Sequence, residues 1–127
     1  MASNHISPSA DVPPAAARVE QVIHYFKTEI IFSDEQIAKL LTLSRKSMNV
    51  NLSIAEKGLK EKDYETFCVA VHTLKGTLLQ CGLAGWAEKA QELHDGVRNK
   101  QSIPFADRLE TIKKGLSELL EGKTGEI

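Results

Sequence analysis

Only two cysteines occur in the 127 residues, and they cannot meet. Cys68 and Cys81 fall on one predicted helix, thirteen residues apart, a separation of about 20 Å. A disulfide between them is excluded, and a reduced cytoplasmic setting is expected. Long apolar runs are missing as well. Nothing approaches the roughly 20 residues needed to cross a bilayer, and Met1 to Pro14 lacks the charged start and apolar stretch of a secretory signal. Neither sign of charge dominates, with 16 basic residues against 17 acidic ones, so the basic excess of a nucleic-acid binder is absent. The four prolines interrupt no strong apolar pattern. No segment sustains a period-two alternation, which argues against a sheet. No nucleophile elbow, phosphate-cradling glycine loop or paired-carboxylate motif appears, so a hydrolase has no support and no ATP site is expected.

What is present is helical. An apolar share of 42% in a chain of this length suits one domain with one core. Residues 1 to 12 read as a disordered tail, and 13 to 127 as a single helical domain. A first helix is expected from Pro13 or Pro14 to about Thr28, with Ala16, Val19, Ile23 and Phe26 at helical spacing. Ser33 and Gln36 form a capping box for the second, with Asp34 and Glu35 at the positive end of its dipole and Phe32 and Ile37 as a hydrophobic staple. That helix runs through Leu40, Leu41, Ser44, Met48, Leu52, Ala55 and Leu59. Asp63 begins a third, with Phe67, Val71, Leu74, Leu78 and Cys81 on its core side. Gly82 and Gly85 mark a break, Trp86, Ala90, Leu93 and Val97 a fourth helix, and Pro104 opens a fifth through Phe105, Leu109, Ile112, Leu116 and Leu119. Short connections make successive helices antiparallel neighbours. The expected fold is all-α: an antiparallel up-down four-helix bundle over about 33 to 121, with an additional N-terminal helix.

The most informative stretch is His72-Thr73-Leu74-Lys75-Gly76-Thr77-Leu78-Leu79-Gln80-Cys81-Gly82. Residues three and four apart are neighbours on a helix, so His72, Lys75 and Gly76 make one patch beside the core stripe. It combines a nucleophilic imidazole, a cation and a spot with no side chain. Leu79 extends that flank on one side, and Cys68 and Val69 on the other. A neutral imidazole is a good nucleophile near neutral pH, and a nearby ammonium stabilises phosphoryl oxygens. A glycine inside a helix costs about 1 kcal/mol relative to alanine. Its reason is either room for another protein's surface or close packing of a helix in the same bundle.

If the third and fourth helices are antiparallel about Leu83, His72 faces the level of His94, and Lys75 that of Gln91. Either His94 or Gln91 could then hydrogen-bond the His72 imidazole, and Arg98, one turn beyond, could add positive charge. The alternatives are a solvated or space-filling His94, and an Arg98 paired with an acid such as Glu65. The spacings of His72, His94, Cys68 and Cys81 match no zinc pattern, and no metal is expected.

The pentapeptide from His72 to Gly76, with the spaced Gly82, resembles the signature of histidine-containing phosphotransfer (HPt) domains. The signature covers eleven residues, 72 to 82, and the agreement in helix count and length covers roughly 33 to 121. The resemblance implies a phosphorelay intermediate with no kinase activity of its own. His72 would accept a phosphoryl group from an aspartate of a response-regulator receiver domain and pass it to another receiver. The receiver would bring Mg²⁺, and no cofactor would belong to this chain. Lys75 would assist the phosphoryl group and Gly76 make space for the receiver. Cys68, Val69, Leu79 and Leu83 would supply the apolar part of the docking face. Many members carry small hydroxyl residues directly after that glycine, and only Thr77 fits here. A glutamine often stands where this chain has His94 and hydrogen-bonds the active imidazole. Implied partners are receiver domains and a hybrid sensor histidine kinase, with a monomer expected. The alternatives are a phosphoacceptor domain excised from a hybrid kinase, and a helical interaction module without phosphate chemistry.

Overall fold

Ser33 shows how local chemistry sets the first long helix. Its hydroxyl accepts from the Gln36 backbone N–H at 3.2 Å, and the Gln36 side chain accepts from the Ser33 N–H at 2.9 Å. That reciprocal cap satisfies two amides that a helix start would otherwise leave bare. The computed structural model describes residues 12–122. The tail expected over 1–12 therefore lies, except for Val12, outside the described residues, as do 123–127.

The elements are α1 (Val19–Tyr25), a π-helical turn (Phe26–Ile30), α2 (Asp34–Lys60), α3 (Tyr64–Gln80), α4 (Ala84–Arg98), α5 (Phe105–Gly115) and α6 (Ser117–Leu120). No strand occurs among the described residues. α2, α3, α4 and α5 follow one another around an antiparallel four-helix bundle, and α5 and α6 close it by packing back on α2. Lys113 reaches Glu56 at 3.0 Å across that closing seam, where Arg45 Nε also donates to the Leu119 carbonyl at 2.7 Å.

The helices turn inward the stripes that their spacing foretells. Ile37, Leu41, Ser44, Met48, Leu52 and Ala55 of α2 are buried, as are Phe67, Val71, Leu74 and Leu78 of α3. Trp86, Ala90 and Leu93 of α4 and Leu109 and Ile112 of α5 complete the interior, while Val97 is half-buried. Asp63 caps α3 by accepting from the Thr66 N–H at 3.2 Å and the Thr66 hydroxyl at 2.7 Å. These bonds to its charged form hold the Asp63 carboxyl below its ordinary range.

Four boundaries differ from expectation. The first helix begins at Val19, not at Pro13 or Pro14, because the preceding segment bonds across the bundle instead of to itself. Trp86 Nε1 donates to the Ala15 carbonyl at 2.9 Å, Ala17 N–H to Gly115 O at 2.8 Å, and Val19 N–H to Glu118 Oε2 at 2.8 Å. Ala17 is therefore buried while Ala16 faces solvent. That helix also runs past Thr28 through the π-helical turn and ends at Ile31, which takes a left-handed φ of 63°. The fifth helix breaks at Leu116: Ala17 takes the Gly115 carbonyl, and the Leu119 N–H turns to Leu116 O at 2.9 Å. Finally, Gly85 belongs to the first turn of α4, so the α3–α4 break rests on Gly82 alone, at φ +75°.

Candidate functional site

α3 carries the site because its stripe of Phe67, Val71, Leu74 and Leu78 anchors one side in the core and leaves the opposite face free. His72 and Gly76 are exposed on that face and Lys75 is half-buried at its α4 edge. A Cβ built on Gly76 would meet nothing within 4 Å. No helix among the described residues packs there, so close approach within the bundle does not explain this glycine. Val69 and Leu79 flank the patch with 59% and 47% of their surface exposed, which is high for branched aliphatic side chains.

Two residues expected in the apolar docking flank are not on the surface. Cys68 is only 6% exposed, because it sits on the side of α3 that turns toward α4. Burial raises its thiol pKa, with Arg98 opposing and Glu65 adding to the shift. Leu83 is 3% exposed: it is the N-cap of α4, its N–H bonds to Leu78 O at 2.9 Å, and its side chain joins the core. Thr77, the hydroxyl residue after the glycine, is also turned away from the site. It is buried toward α2, where its Oγ1 lies 3.0 Å from Ser47 Oγ.

The predicted level of α4 against α3 holds. The His72 and His94 rings stand 5.8 Å apart between centroids, tilted by 48°. They share a ring contact and no hydrogen bond. Gln91 does not bond His72 either, because its amide is turned to Lys75 and Asp95. Gln91 Oε1 accepts from Lys75 Nζ at 2.7 Å, and Gln91 Nε2 donates to Asp95 Oδ1 at 2.7 Å. His94 Nδ1 is buried without a hydrogen-bond partner among the described residues and lies 3.8 Å from Asp95 Oδ1. Arg98 is exposed at the level of Cys68, one turn away from His72, and forms no ion pair with Glu65.

Asp95 and an apolar stripe on α2 escaped the sequence reading. Asp95 sits four residues after Gln91, the spacing at which helical side chains meet. Leu43, Val50 and Ile54 are 58%, 46% and 40% exposed. They lie seven and four residues apart, off the core stripe, and Ser47 between them bonds to α3. Their signal was the second apolar periodicity on one helix.

The cysteines are both free and buried. Cys81 lies in the core, where burial raises its thiol pKa against a hydrogen bond with Ser44. Among the described residues, no cluster of three or more His, Cys, Asp or Glu side chains is placed to hold a metal ion, and no helix is long and apolar enough to cross a membrane.

No curated protein and no solved structure matches the chain significantly. The sequence model of the Hpt domain, however, matches residues 39–122, which takes in most of α2, all of α3 through α6 and every residue of the patch. Hpt domains are histidine phosphotransfer modules of phosphorelays, and the exposed histidine, the cation and the open glycine of α3 lie within the matched span. This chain belongs to the Hpt domain family.

Proposed function

We propose that His72 is the phosphoacceptor of a multistep phosphorelay, taking a phosphoryl group from a receiver-domain aspartate and passing it to a second receiver. The observation that carries this reading is the solvent-facing imidazole beside Lys75, with empty space over Gly76 one turn along. A nitrogen lone pair of the neutral ring attacks phosphorus, the P–N bond forms as the acyl P–O bond breaks, and the aspartate leaves as a carboxylate. The second ring nitrogen gives its proton to solvent. Onward transfer reverses these events at the next aspartate.

In this reading Lys75 offers N–H bonds to the phosphoryl oxygens, where charge is largest as the group moves. Gly76 lets the receiver bring its aspartate close to the α3 backbone. Val69 and Leu79, with Leu43, Val50 and Ile54 of α2, form the apolar part of the docking face. His94 packs its ring against His72 and limits how the imidazole can turn. Mg²⁺ would come with the receiver. The phosphoryl donor upstream is a receiver fused to a hybrid sensor kinase, and the chain acts as a cytoplasmic monomer.

The test is labelling by a panel of phosphorylated receiver domains. Acid-labile, base-stable label on the wild-type chain, abolished in His72→Gln with the melting curve unchanged, is the expected result. Label that survives in His72→Gln would place the acceptor elsewhere.

A further inference from the structure

A lysine is a poor device for placing charge. Its ammonium ends a flexible four-carbon stem, and holding it still costs rotamer freedom. Lys75 is nevertheless held. Its Nζ donates to Gln91 Oε1 at 2.7 Å, and Gln91 is held in turn by its Nε2 bond to Asp95 Oδ1, also 2.7 Å. The chemistry of the three groups permits one arrangement. An ammonium only donates and a carboxylate only accepts, so the amide between them must turn its oxygen to Lys75 and its nitrogen to Asp95. Flipped, it would be repelled at both ends. Gln91 and Asp95 are four apart on α4, so the bridge is anchored on one rigid helix while Lys75 comes from the facing one.

We infer that Gln91 and Asp95 are positioning residues for phosphotransfer. Asp95 fixes the Gln91 amide, and Gln91 holds the Lys75 ammonium at the α3–α4 edge beside His72. This rests on the reading of His72 as the phosphoacceptor. One of the three ammonium N–H bonds is spent on Gln91, and two remain for phosphoryl oxygens. The ordering of Lys75 is completed before the receiver arrives, so no part of it is charged to the transition state.

The experiment measures single-turnover transfer from a receiver domain phosphorylated with acetyl phosphate, over a range of receiver concentrations. Gln91→Leu should lower the saturating rate about ten- to thirtyfold, the scale of one lysine's rotamer freedom, with the half-saturating concentration unchanged. In a Lys75→Ala background Gln91→Leu should have no further effect, which a general structural role would not produce. Asp95→Ala separates tethering from simple charge. Removing a nearby negative charge should by itself favour the phosphoryl group and speed transfer, whereas loss of the amide lock should slow it. Asp95 is exposed, so this variant keeps the test available if Gln91→Leu folds poorly. Unchanged or faster saturating rates in both variants, or full additivity with Lys75→Ala, would overturn the tether. His72→Gln run alongside distinguishes the two claims: label lost there but normal rates in Gln91→Leu defeats only the tether, while label retained there defeats the acceptor assignment itself.

Discussion

Two of the helical glycines of this bundle, Gly115 and Gly76, are used in opposite ways. At the end crossed by the N-terminal segment, the Trp86 ring fills the space where a Gly115 side chain would be. The Trp86 indole N–H is taken by Ala15, and the Gly115 carbonyl by Ala17. On the exposed face of α3, a Gly76 side chain would meet nothing within 4 Å among the described residues, Val69 and Leu79 stand in solvent, and the neighbouring His94 Nδ1 has no hydrogen-bond partner among the described residues. Gly115 makes room for a ring of the same bundle, whereas Gly76 leaves the helix backbone open on its outer face.

The sharpest way to break the comparison is to fill the open glycine. Gly76→Gln should fold with a near-normal melt, because its side chain extends into empty space. It should lose receiver binding by tenfold or more, on the order of at least 1.4 kcal/mol, in a titration against a phosphorylated receiver. Normal binding would mean that the partner does not approach over Gly76.

The closed end should fail in the opposite sense. Trp86→Ala removes a 3% exposed indole and its bond to Ala15, and should cost about 3–5 kcal/mol in urea unfolding. Receiver labelling per folded molecule should be unchanged. Gly115→Ala should cost less, about 1–3 kcal/mol, because the Trp86 ring must shift to admit the new methyl. A neutral result at Gly115 would mean that this end is looser than its contacts imply.

Most of this contrast was legible in the sequence only on one side. The bundle could be read because its determinants are local: Ser33 and Asp63 as caps, apolar residues every third or fourth position, and Gly82 at the turn. The level of His72 against His94, and of Lys75 against Gln91, followed from simple antiparallel counting about Leu83. The N-terminal segment could not be read, because Ala15, Ala17 and Val19 find their partners about 70 to 100 residues away. The same long-range bonds moved the start of α1 and broke the fifth helix at Leu116. Cys68 and Leu83 were misplaced on the surface because periodicity gives a face and not the depth of the facing helix. Asp95 was missed because its role appears only once Gln91 is known to reach Lys75.

The smallest expected effect bears most directly on what Gly76 costs. Gly76→Ala adds one methyl group in open space and removes the backbone freedom that glycine brings to the unfolded chain. The helix should gain about 0.5–1 kcal/mol, read as a higher melting temperature by circular dichroism. Receiver labelling should fall by far less than in Gly76→Gln, since a methyl narrows the approach without closing it. An unchanged melt would mean that the glycine carries no stability penalty, and the contrast with the packed end would then lie in geometry alone. A higher melt with slower labelling is the signature of a helix kept less stable than it could be so that another protein can reach its backbone.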